Sequence, residues 1–506
     1  MSEQKAQKKN QKPPHEQKKS DQEISRQEKI EKLLEQGINL FPYKAEKSHP
    51  LFEIVRDFAS LSAEELTEKK IAVVVPGRIL SVRRMGRATF STITDSRARL
   101  QIYLRENVVG KKGYGLFDLM DIGDIIAVKG TLFKTRTGEL TVLAQSFSLL
   151  AKCLHPLPEK WHGLQDVELR YRRRYLDLIM NPEVGEVFRL RSRIITHIRK
   201  FFDERGYLEV ETPMMQPIPG GALARPFKTF HNALGIDLYL RIAPELYLKR
   251  LVVGGFEKVY EINRSFRNEG ISSEHNPEFT MLEWYEAYSD YYDMMDMTEE
   301  LLHSLCLSLL GQDEITYGDY TLSFRRPWRR LKYKDALISL SGLAPGRFDN
   351  AADIISFAST LALDQAIHTY GKALEIIFDK LAKPKIIQPT FVLDHPKEIS
   401  PLAKASRENP DEAERFELIV AGMEVANAFS ELSDPQEQKK RFEQQAEEKE
   451  KGDEESHWID LDYVQALEYG LPPTGGEGIG IDRLTMILAN KKSIREVILF
   501  PLLRPR

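Results

Sequence analysis

Hydrophobic and polar residues alternate between positions 71 and 150 with the two-residue period of a β-strand. Five short runs of this kind are separated by turns at Gly86, at 95–97 and at 137–138. Such alternation indicates strands with one buried face. Five short strands in succession are typical of a small Greek-key barrel of the OB type. We therefore predict an OB-type β-barrel domain over residues 66–152.

The pattern on either side of the barrel is different. A helical spacing of apolar residues around Ile30 predicts a helical segment over residues 23–65. After the barrel, a linker over residues 153–183 contains the basic run ELRYRRRYLDLI, whose arginines either contact an RNA backbone or form a solvated helix face. Residues 184–506 mix helices with long hairpins, which predicts a domain built on an antiparallel sheet flanked by helices. The expected fold class is α+β.

Composition narrows the class of protein. The chain has 506 residues, 42% hydrophobic and 29% charged, which is ordinary for globular proteins of more than one domain. No apolar run is long enough for a membrane span, and Cys153 and Cys306 have no partner spacing for a metal or disulfide. We expect a cytoplasmic protein with inert thiols and no membrane association. Residues 1–22 are rich in lysine and predict a disordered tail, which either attracts nucleic acid weakly or has no role.

Residues 260–285 are predicted to form a hairpin that carries charges and an aromatic ring on one face, which a purely structural sheet would avoid. The predicted face consists of Glu261, Asn263, Ser265, Arg267 and Glu269 on the first strand and Phe279, Met281, Glu283 and Tyr285 on the second. The planar fork of Arg267 suits a phosphate and a carboxylate. Phe279 offers a flat face to a purine, and Glu269 offers an acceptor to its exocyclic amine. His275, in the connecting loop, is placed to reach the outer phosphates.

A glycine-rich segment near the C-terminus, GEGIGIDRL, precedes an apolar helix. Glycines such as Gly480 allow close approach of a ligand, and the helix N-terminus with Arg483 favours a phosphate. The chain has neither a GxGxxG fingerprint nor a Walker-type loop. The hairpin and this segment together therefore predict a nucleotide site of another kind.

Nucleotidyl transfer needs cations to bridge phosphate oxygens. Glu417 and Glu424 flank a predicted turn at Gly422 and are expected to lie almost opposite each other on adjacent strands. Because two nearby carboxylates repel unless a cation lies between them, this pair predicts a site for Mg²⁺, with more than one ion accompanying ATP. In isolation, two solvated edge glutamates would be the simpler interpretation.

Five segments, in chain order, resemble the class II aminoacyl-tRNA synthetases, and within them the bacterial lysyl-tRNA synthetases. They are ETPMMQPIPGGALARPF, FRNEG, HNPEFTMLEWY, NAFSEL and GEGIGIDRL. The first is similar to the family's motif 1, which places Pro213 at a dimer interface. The resemblance implies a class II catalytic domain in which Arg267 and Arg483 are catalytic and in which ATP is bound by Arg267, Glu269, His275, Phe279, Gly480 and Arg483.

The resemblance also implies an amino-acid pocket for L-lysine formed by Gly221, Glu245, Arg267, Glu283, Tyr285, Asn427 and Glu431. In it, Glu245 would hold the α-ammonium. Glu283, Glu431 and Tyr285 would hold the side-chain ammonium, and Asn427 with Arg267 would meet the carboxylate. Several acids around one cavity call for a cationic substrate. The chain departs from the family pattern at Ala426, Ala428 and Glu477, where glycines and an apolar residue are usual.

The barrel is similar to the family's anticodon-binding domain. Phe90 would stack on a base, Gln101 and Glu139 would read base edges, and Arg78 would contact phosphate or base. From the pattern alone, Phe90 as a core aromatic is about twice as probable.

The expected activity is lysine activation with ATP, followed by transfer to tRNA(Lys), in a homodimer. Three alternatives remain: a relative that lysylates a protein, a non-catalytic RNA-binding paralogue, and an aspartyl or asparaginyl enzyme. Relatives of the first kind lack the barrel.

Overall fold

The computed structural model describes residues 20–158, 164–362, 367–450 and 458–505. The chain forms two compact units, Met1–Gly185 and Glu186–Arg506, called here the N-terminal and C-terminal units. Most of the predicted disordered tail, residues 1–22, lies outside the described residues. Helix α1 begins at Asp21, with Ser20 as its N-cap.

The N-terminal unit is built around the predicted barrel. Five strands close in the order β1-β2-β3-β5-β4, with only β3 and β5 running parallel. Along the first three strands, residues of alternating position are buried in the barrel interior. The strands are β1 (Ala72–Met85), β2 (Ala88–Thr94), β3 (Arg99–Arg105), β4 (Ile125–Lys134) and β5 (Leu140–Ala151). The predicted OB-type barrel is confirmed.

Helices precede and follow the barrel strands along the chain. A helix between β3 and β4, interrupted at Gly110, was not predicted. The helices are α1 (Asp21–Glu35), α2 (Leu51–Phe58), α3 (Ala63–Lys69), α4 (Glu106–Phe117), α5 (Val167–Arg172) and α6 (Arg174–Met180). Side chains of α1, α2 and α3 join the same hydrophobic cluster as the barrel interior.

The basic run after the barrel forms two short helices, α5 and α6, that meet at Arg173. Neither reading of its arginines holds throughout. Arg174 is buried and pairs with the buried Asp177 at 2.6 Å, and Arg170 pairs with the same carboxylate at 2.7 Å. These two side chains therefore stabilise the local fold.

The C-terminal unit is organised by an eight-stranded sheet in the order β14-β15-β16-β17-β18-β11-β10-β6. The central pairs are antiparallel, and only the outermost pairs, β14–β15 and β6–β10, are parallel. The strands of this sheet are β6 (Leu208–Glu209), β10 (Lys258–Phe266), β11 (Glu278–Ala287), β14 (Arg329–Lys332), β15 (Thr390–Pro396), β16 (Glu412–Val420), β17 (Met423–Ser430) and β18 (Thr474–Gly480). The predicted antiparallel sheet of an α+β fold is confirmed.

Smaller sheets and helices surround this sheet. One small sheet contains β7 (Met215–Gln216), β8 (Phe227–His231) and β9 (Ile236–Leu240), and another contains β12 (Glu314–Tyr317) and β13 (Tyr320–Ser323). The helices are α7 (Pro182–Asp203), α8 (Glu245–Val253), α9 (Tyr291–Leu310), α10 (Tyr333–Leu340), α11 (Ala351–Leu361), α12 (Tyr370–Ile377), α13 (Pro435–Glu450), α14 (Leu461–Glu468), α15 (Ile481–Leu488) and α16 (Ile494–Val497). Within the described ranges, no helix combines the length and apolar character needed to cross a membrane.

The central strands separate the core from a polar face. On β11, Leu282 and Trp284 belong to the main hydrophobic cluster, together with side chains of α7, α9 and α15. The alternating positions Glu283 and Tyr285 therefore project to the other side of the sheet. Polar groups are thus placed at the middle of a rigid sheet, where they are held by their neighbours on both sides.

Candidate active site

The centre of the site is β11, between β10 and β18. Glu283 lies opposite Glu261 on one side and Gly478 on the other, and Tyr285 lies opposite Gly476. The hairpin was predicted correctly, but its first strand is shorter than expected. Strand β10 ends at Phe266, so Arg267 and Glu269 lie in the loop rather than on the strand.

One cavity brings most of the predicted ligand-binding residues together. They are Gly221, Glu245, Arg267, Glu269, His275, Phe279, Glu283, Tyr285, Glu424, Asn427, Gly480 and Arg483. The amino-acid and nucleotide residues predicted from separate segments therefore share one cleft. Glu417 and Glu431 do not line it.

Arg267 is placed at the junction of the two predicted subsites. Its backbone amide donates to Pro277 at 2.9 Å, which holds the loop across the mouth of the hairpin. Its guanidinium carbon lies 5.1 Å from the centre of the Phe279 ring. The buried Nε has no hydrogen-bond partner among the described residues. A buried donor without a partner is costly, and an anionic ligand would satisfy it.

Arg483, at the start of α15, connects two other predicted residues. Its Nη1 donates to the carbonyl oxygen of Glu424 at 2.7 Å, and its Nη2 lies 3.2 Å from Nε2 of His275. Burial and the neighbouring Arg483 lower the pKa of His275, which favours the neutral imidazole. The side chains predicted to meet outer phosphates are therefore in contact before any ligand is present.

Two glycines are required by the shape of the pocket. Gly221 adopts φ = 86°, a left-handed conformation that favours glycine, and a Cβ there would press on Ala243 and Glu245. At Gly476, a Cβ would collide with Tyr285 and with the carboxylate of Glu431. Glu431 thus lies directly behind Gly476, at the back of the cavity.

The three glutamates predicted for the amino-acid pocket are all buried, each at most 5% exposed. Burial and the neighbouring Glu245 raise the pKa of Glu283 to about 8. Burial also raises the pKa of Glu245 and of Glu431. Glu283 accepts a hydrogen bond of 3.3 Å from Tyr285. The pocket therefore holds more carboxylate than its own cations neutralise.

A buried cation, Lys249, was missed. It follows Glu245 by one helical turn on α8, forms a hydrogen bond of 2.5 Å with Oε1 of Glu245 and forms an ion pair with Glu431. The four-residue spacing of Glu245 and Lys249 on a helix was the available indication. Phe429, which lines the cavity with its ring centre 5.2 Å from the Lys249 ammonium, was also missed.

The two acids predicted to bind metal lie on the adjacent strands β16 and β17. They are not opposite each other: Glu417 lies across from Asn427, and Glu424 across from Ile419, with a register shift between Leu418 and Ile419. Burial and the neighbouring Glu424 nevertheless raise the pKa of Glu417 to about 8. The two carboxylates are therefore close enough to repel each other.

The surroundings of this pair are compatible with a divalent cation that is shared with a ligand. Arg415 pairs with Glu417 at 2.7 Å and also donates to Oδ1 of Asn427 at 2.9 Å. Carboxylate oxygens are the donors that Mg²⁺ prefers, and it commonly takes its remaining ligands from phosphates and water. In the described part of the chain, no group of three or more His, Cys, Asp or Glu forms a complete metal site.

The three departures from the family pattern lie on the face of the sheet opposite the cavity. Ala426 and Ala428 are buried in the hydrophobic core, and Ala428 is the cross-strand partner of Glu477. The buried carboxyl of Glu477 contacts the hydroxyl of Thr298 on α9 at 2.6 Å. Burial raises the pKa of Glu477 well above its usual value. Ala426 and Glu477 nevertheless border the cavity, and the Glu477 carboxyl is directed away from it, to Thr298.

The barrel carries three of its four predicted nucleic-acid residues on its outer surface near each other. Phe90 is absent from the barrel core and stacks on Tyr103 at 4.3 Å, so the core interpretation of this ring is wrong. Gln101, two residues before Tyr103, accepts a hydrogen bond from Thr141 at 3.0 Å. The exposed Glu139 lies in the β4–β5 turn, two residues before Thr141.

Arg78 lies elsewhere on the barrel. Its guanidinium donates to the carbonyl oxygen of Gly123 at 2.7 Å, which ties β1 to the turn before β4. Pro213, predicted at a dimer interface, is exposed. Pro213 precedes strand β7, which begins at Met215.

Comparison with known proteins gives a consistent assignment. Residues 166–504 match the family model of class II tRNA synthetases (D, K and N), and residues 73–150 match an OB-fold nucleic acid binding domain. The chain is 54% identical to the lysine–tRNA ligase of Pelotomaculum thermopropionicum over 95% of its length and 94% of the relative's. It is 54% identical to that of Carboxydothermus hydrogenoformans and 50% identical to that of Bacillus cereus, with 95% and 96% of the chain aligned and 97% of each relative covered. The chain belongs to the class II tRNA synthetases, within the family of the lysine–tRNA ligases.

Proposed function

We propose that this protein activates L-lysine with ATP, forming lysyl-adenylate and pyrophosphate, and then transfers lysine to the 3′ end of tRNA(Lys). It acts as a cytoplasmic homodimer. The observation that carries the proposal is a pair of buried glutamates, Glu245 and Glu283, that line one cavity with Arg267 in a class II fold, with the buried Glu431 directly behind them. Such an excess of buried acid has a favourable partner only in a cationic ligand.

The amino-acid pocket distributes three contacts. Glu245 binds the α-ammonium, while Glu283, Glu431 and Tyr285 bind the side-chain ammonium. Arg267 and Asn427 meet the carboxylate, and the backbone of Gly221 closes one wall. A pocket of buried charged groups rejects uncharged isosteres strongly, because those ligands would leave the acids unpaired.

The nucleotide subsite lies at the outer part of the same cleft. Phe279 stacks on adenine, Glu269 accepts from its amino group, and the strand end at Gly480 allows close approach. Arg483 and His275, already in contact, receive the outer phosphates. The support is that all these side chains line one cavity.

The reaction needs no protein nucleophile. The lysine carboxylate attacks the α-phosphorus, and Arg267 and Arg483 compensate the charge that develops on the phosphate oxygens. Positioning and electrostatic stabilisation therefore supply the rate enhancement. Glu417 and Glu424 would hold Mg²⁺, which when bound screens the phosphate charge.

The outer face of the barrel binds the anticodon. The half-exposed pair of Phe90 and Tyr103 offers a stacking platform, and Gln101 and Glu139 lie at its edge. Arg78 contacts the backbone of the RNA near the other end of the strand.

The alternatives are less well supported. An aspartyl enzyme needs a free cation in the pocket, whereas Lys249 is already engaged by two acids, and the buried glutamates also speak against an asparaginyl enzyme. A protein-lysylating relative would lack the barrel that is present here. A non-catalytic paralogue would lack the arginines or acids that line this cavity.

The experiment that tests the proposal is ATP–pyrophosphate exchange with each of the twenty amino acids, without tRNA. Exchange with lysine alone is expected. Exchange with aspartate or asparagine would overturn the pocket assignment, and no exchange with any amino acid would favour the paralogue. The Arg267→Ala variant is the control for contaminating activity and is expected to lose about 10²–10³-fold in rate.

A further inference from the structure

Lys249 lies behind the amino-acid pocket, not in its wall. Its side chain is 0% exposed, and it contacts Glu245 and Glu431 from the side away from the cavity. The rings of Phe429 and Tyr285 lie 5.2 Å and 6.0 Å from its ammonium. Burial would lower the pKa of Lys249, but Glu245 and Glu431 outweigh burial and raise it. The side chain is therefore a permanent cation.

The acids in front of Lys249 are poorly supported otherwise. The carboxylate of Glu431 forms the ion pair with Lys249 but has no other hydrogen-bond donor among the described residues. Glu283 has no ion-pair partner in the described ranges, and its hydrogen bond from Tyr285 is long. Without Lys249, three buried carboxylates would face one another, and burial with mutual repulsion would protonate them.

The charges match the proposed substrate. Three carboxylates and one ammonium leave two net negative charges, and L-lysine presents two ammonium groups. Its carboxylate is compensated separately by Arg267. A pocket that lacked the internal cation would need a proton on one of the acids before the two ammonium groups of this ligand could neutralise it.

We propose that Lys249 is a positioning residue for lysine recognition: it fixes the carboxylates of Glu245 and Glu431 and sets the pocket's net charge to the value that a ligand with two ammonium groups neutralises. This inference rests on the proposed function. Lys249 acts through the acids and does not touch the substrate. The buried Tyr463 of α14 is close enough to this cluster to interact with it electrostatically. Burial and Glu431 raise the pKa of its hydroxyl, and Lys249 opposes them.

The test is Lys249→Met, which keeps the length of the side chain and removes the charge. In pyrophosphate exchange, KM for lysine is expected to rise at least tenfold, about 1.4 kcal/mol. KM for ATP should stay within about twofold, since the nucleotide subsite is at the other end of the cleft. Equal increases in both KM values, or an unchanged KM for lysine, would overturn the proposal.

A double-mutant cycle shows whether Lys249 acts through Glu431. Lys249→Met should raise KM for lysine by a smaller factor in the Glu431→Gln background than in the unaltered protein. The two factors should differ at least threefold. The same fold-change in both backgrounds would show that the two side chains are independent, and the inference would fail. If Lys249→Met does not fold, Glu431→Gln is expected to restore folding by removing an unpaired acid. If the double variant also fails to fold, the fold requires the Lys249 ammonium independently of Glu431, and the inference fails.

The matched control is Lys152→Met in the N-terminal unit, since Lys152 is also 0% exposed in its side chain and paired with two acids. It should lower thermal stability and leave KM for lysine unchanged. Failure of the inference is distinct from failure of the proposed function. The unaltered protein without lysine-dependent exchange contradicts the function, whereas normal exchange with an insensitive Lys249→Met variant contradicts only the role of Lys249.

Discussion

Two buried lysines, one in each unit, are each held by two carboxylates. In the N-terminal unit, Lys152 contacts Asp121 at 2.6 Å, Asp124 at 2.7 Å and the carbonyl oxygen of Leu119 at 3.1 Å. In the C-terminal unit, Lys249 contacts Glu245 and Glu431. Composition and burial are almost the same in the two clusters, but the environment of the acids is not.

The acids of the barrel cluster are fully engaged. The carboxylate of Asp124 accepts from the amides of Cys153 and Asp121 at 2.8 Å and 2.7 Å. Burial would raise the pKa of Asp121, but hydrogen bonds from Lys152 and Lys29 outweigh burial and lower it. Each charge is therefore compensated within the fold itself.

The acids of the amino-acid pocket, in contrast, are not fully compensated by the fold. Burial raises the pKa of Glu431 well above its usual value despite its contact with Lys249, and raises the pKa of Glu283 to about 8. A buried ion pair is stabilising only when hydrogen bonds satisfy the remaining polar atoms. The barrel cluster therefore stabilises the fold, whereas the pocket has fewer cations than acids and a ligand supplies the missing positive charge.

The largest expected effect is on the barrel cluster. Asp124→Asn removes an acid that Lys152 and two backbone amides depend on, so the local free energy of unfolding should fall by about 3–5 kcal/mol. Hydrogen exchange of the amides in β1–β5 measures it. The matched variant Glu431→Gln should cost less in β11 and β17, because the fold already disfavours that charge. A larger loss for Glu431→Gln than for Asp124→Asn would contradict the comparison.

The next largest expected effect is on lysine binding, which distinguishes the acids of the pocket from other buried acids. Glu283→Gln should raise KM for lysine by about 10–100-fold, since a hydrogen bond to a charged group contributes about 1.5–3 kcal/mol, and KM for ATP should change by less than about threefold. Steady-state pyrophosphate exchange gives both values.

Glu477→Gln is the control for this experiment. It also alters a buried glutamate of a central strand, but the side chain contacts Thr298 on the opposite face of the sheet. KM for lysine should be unchanged in this variant. Equal changes in the two KM values for Glu283→Gln would place Glu283 outside the amino-acid pocket.

Local patterns predicted the elements well. Two-residue alternation identified the barrel strands, and the polar positions of β11 followed from the same period. The strand end at Phe266 was not visible, because Arg267 and Glu269 continue the alternation into the loop. After Phe266, the backbone amide of Arg267 donates to the carbonyl oxygen of Pro277 in the loop.

Features that depend on distant contacts were harder to predict. The register shift after Leu418 pairs Glu417 with Asn427 rather than with Ala426, one position farther from Glu424, and no residue type marks it. Lys249 looks like an ordinary helix cation until Glu431, far along the chain, is folded against it. From the pattern alone, the core was the more probable place for Phe90 because aromatic rings are usually buried, whereas Tyr103 supplies a partner on the outer surface.

The pH dependence of lysine binding is the smallest expected effect and tests the charge deficit directly. Because the pKa of Glu283 is raised to about 8 in the ligand-free pocket, this carboxyl is mostly protonated at pH 6. Pairing with an ammonium requires the ionised form, so binding releases protons, and affinity should increase from pH 6 to pH 8. One proton released gives up to about tenfold per pH unit, while the side-chain ammonium of lysine stays charged. The slope belongs to the coupled acids together. Calorimetry at pH 6, 7 and 8 measures it, with Glu283→Gln expected to give a flatter profile. A constant affinity, or one that falls over this interval, would show that the pocket acids are already ionised and compensated, as they are around Lys152.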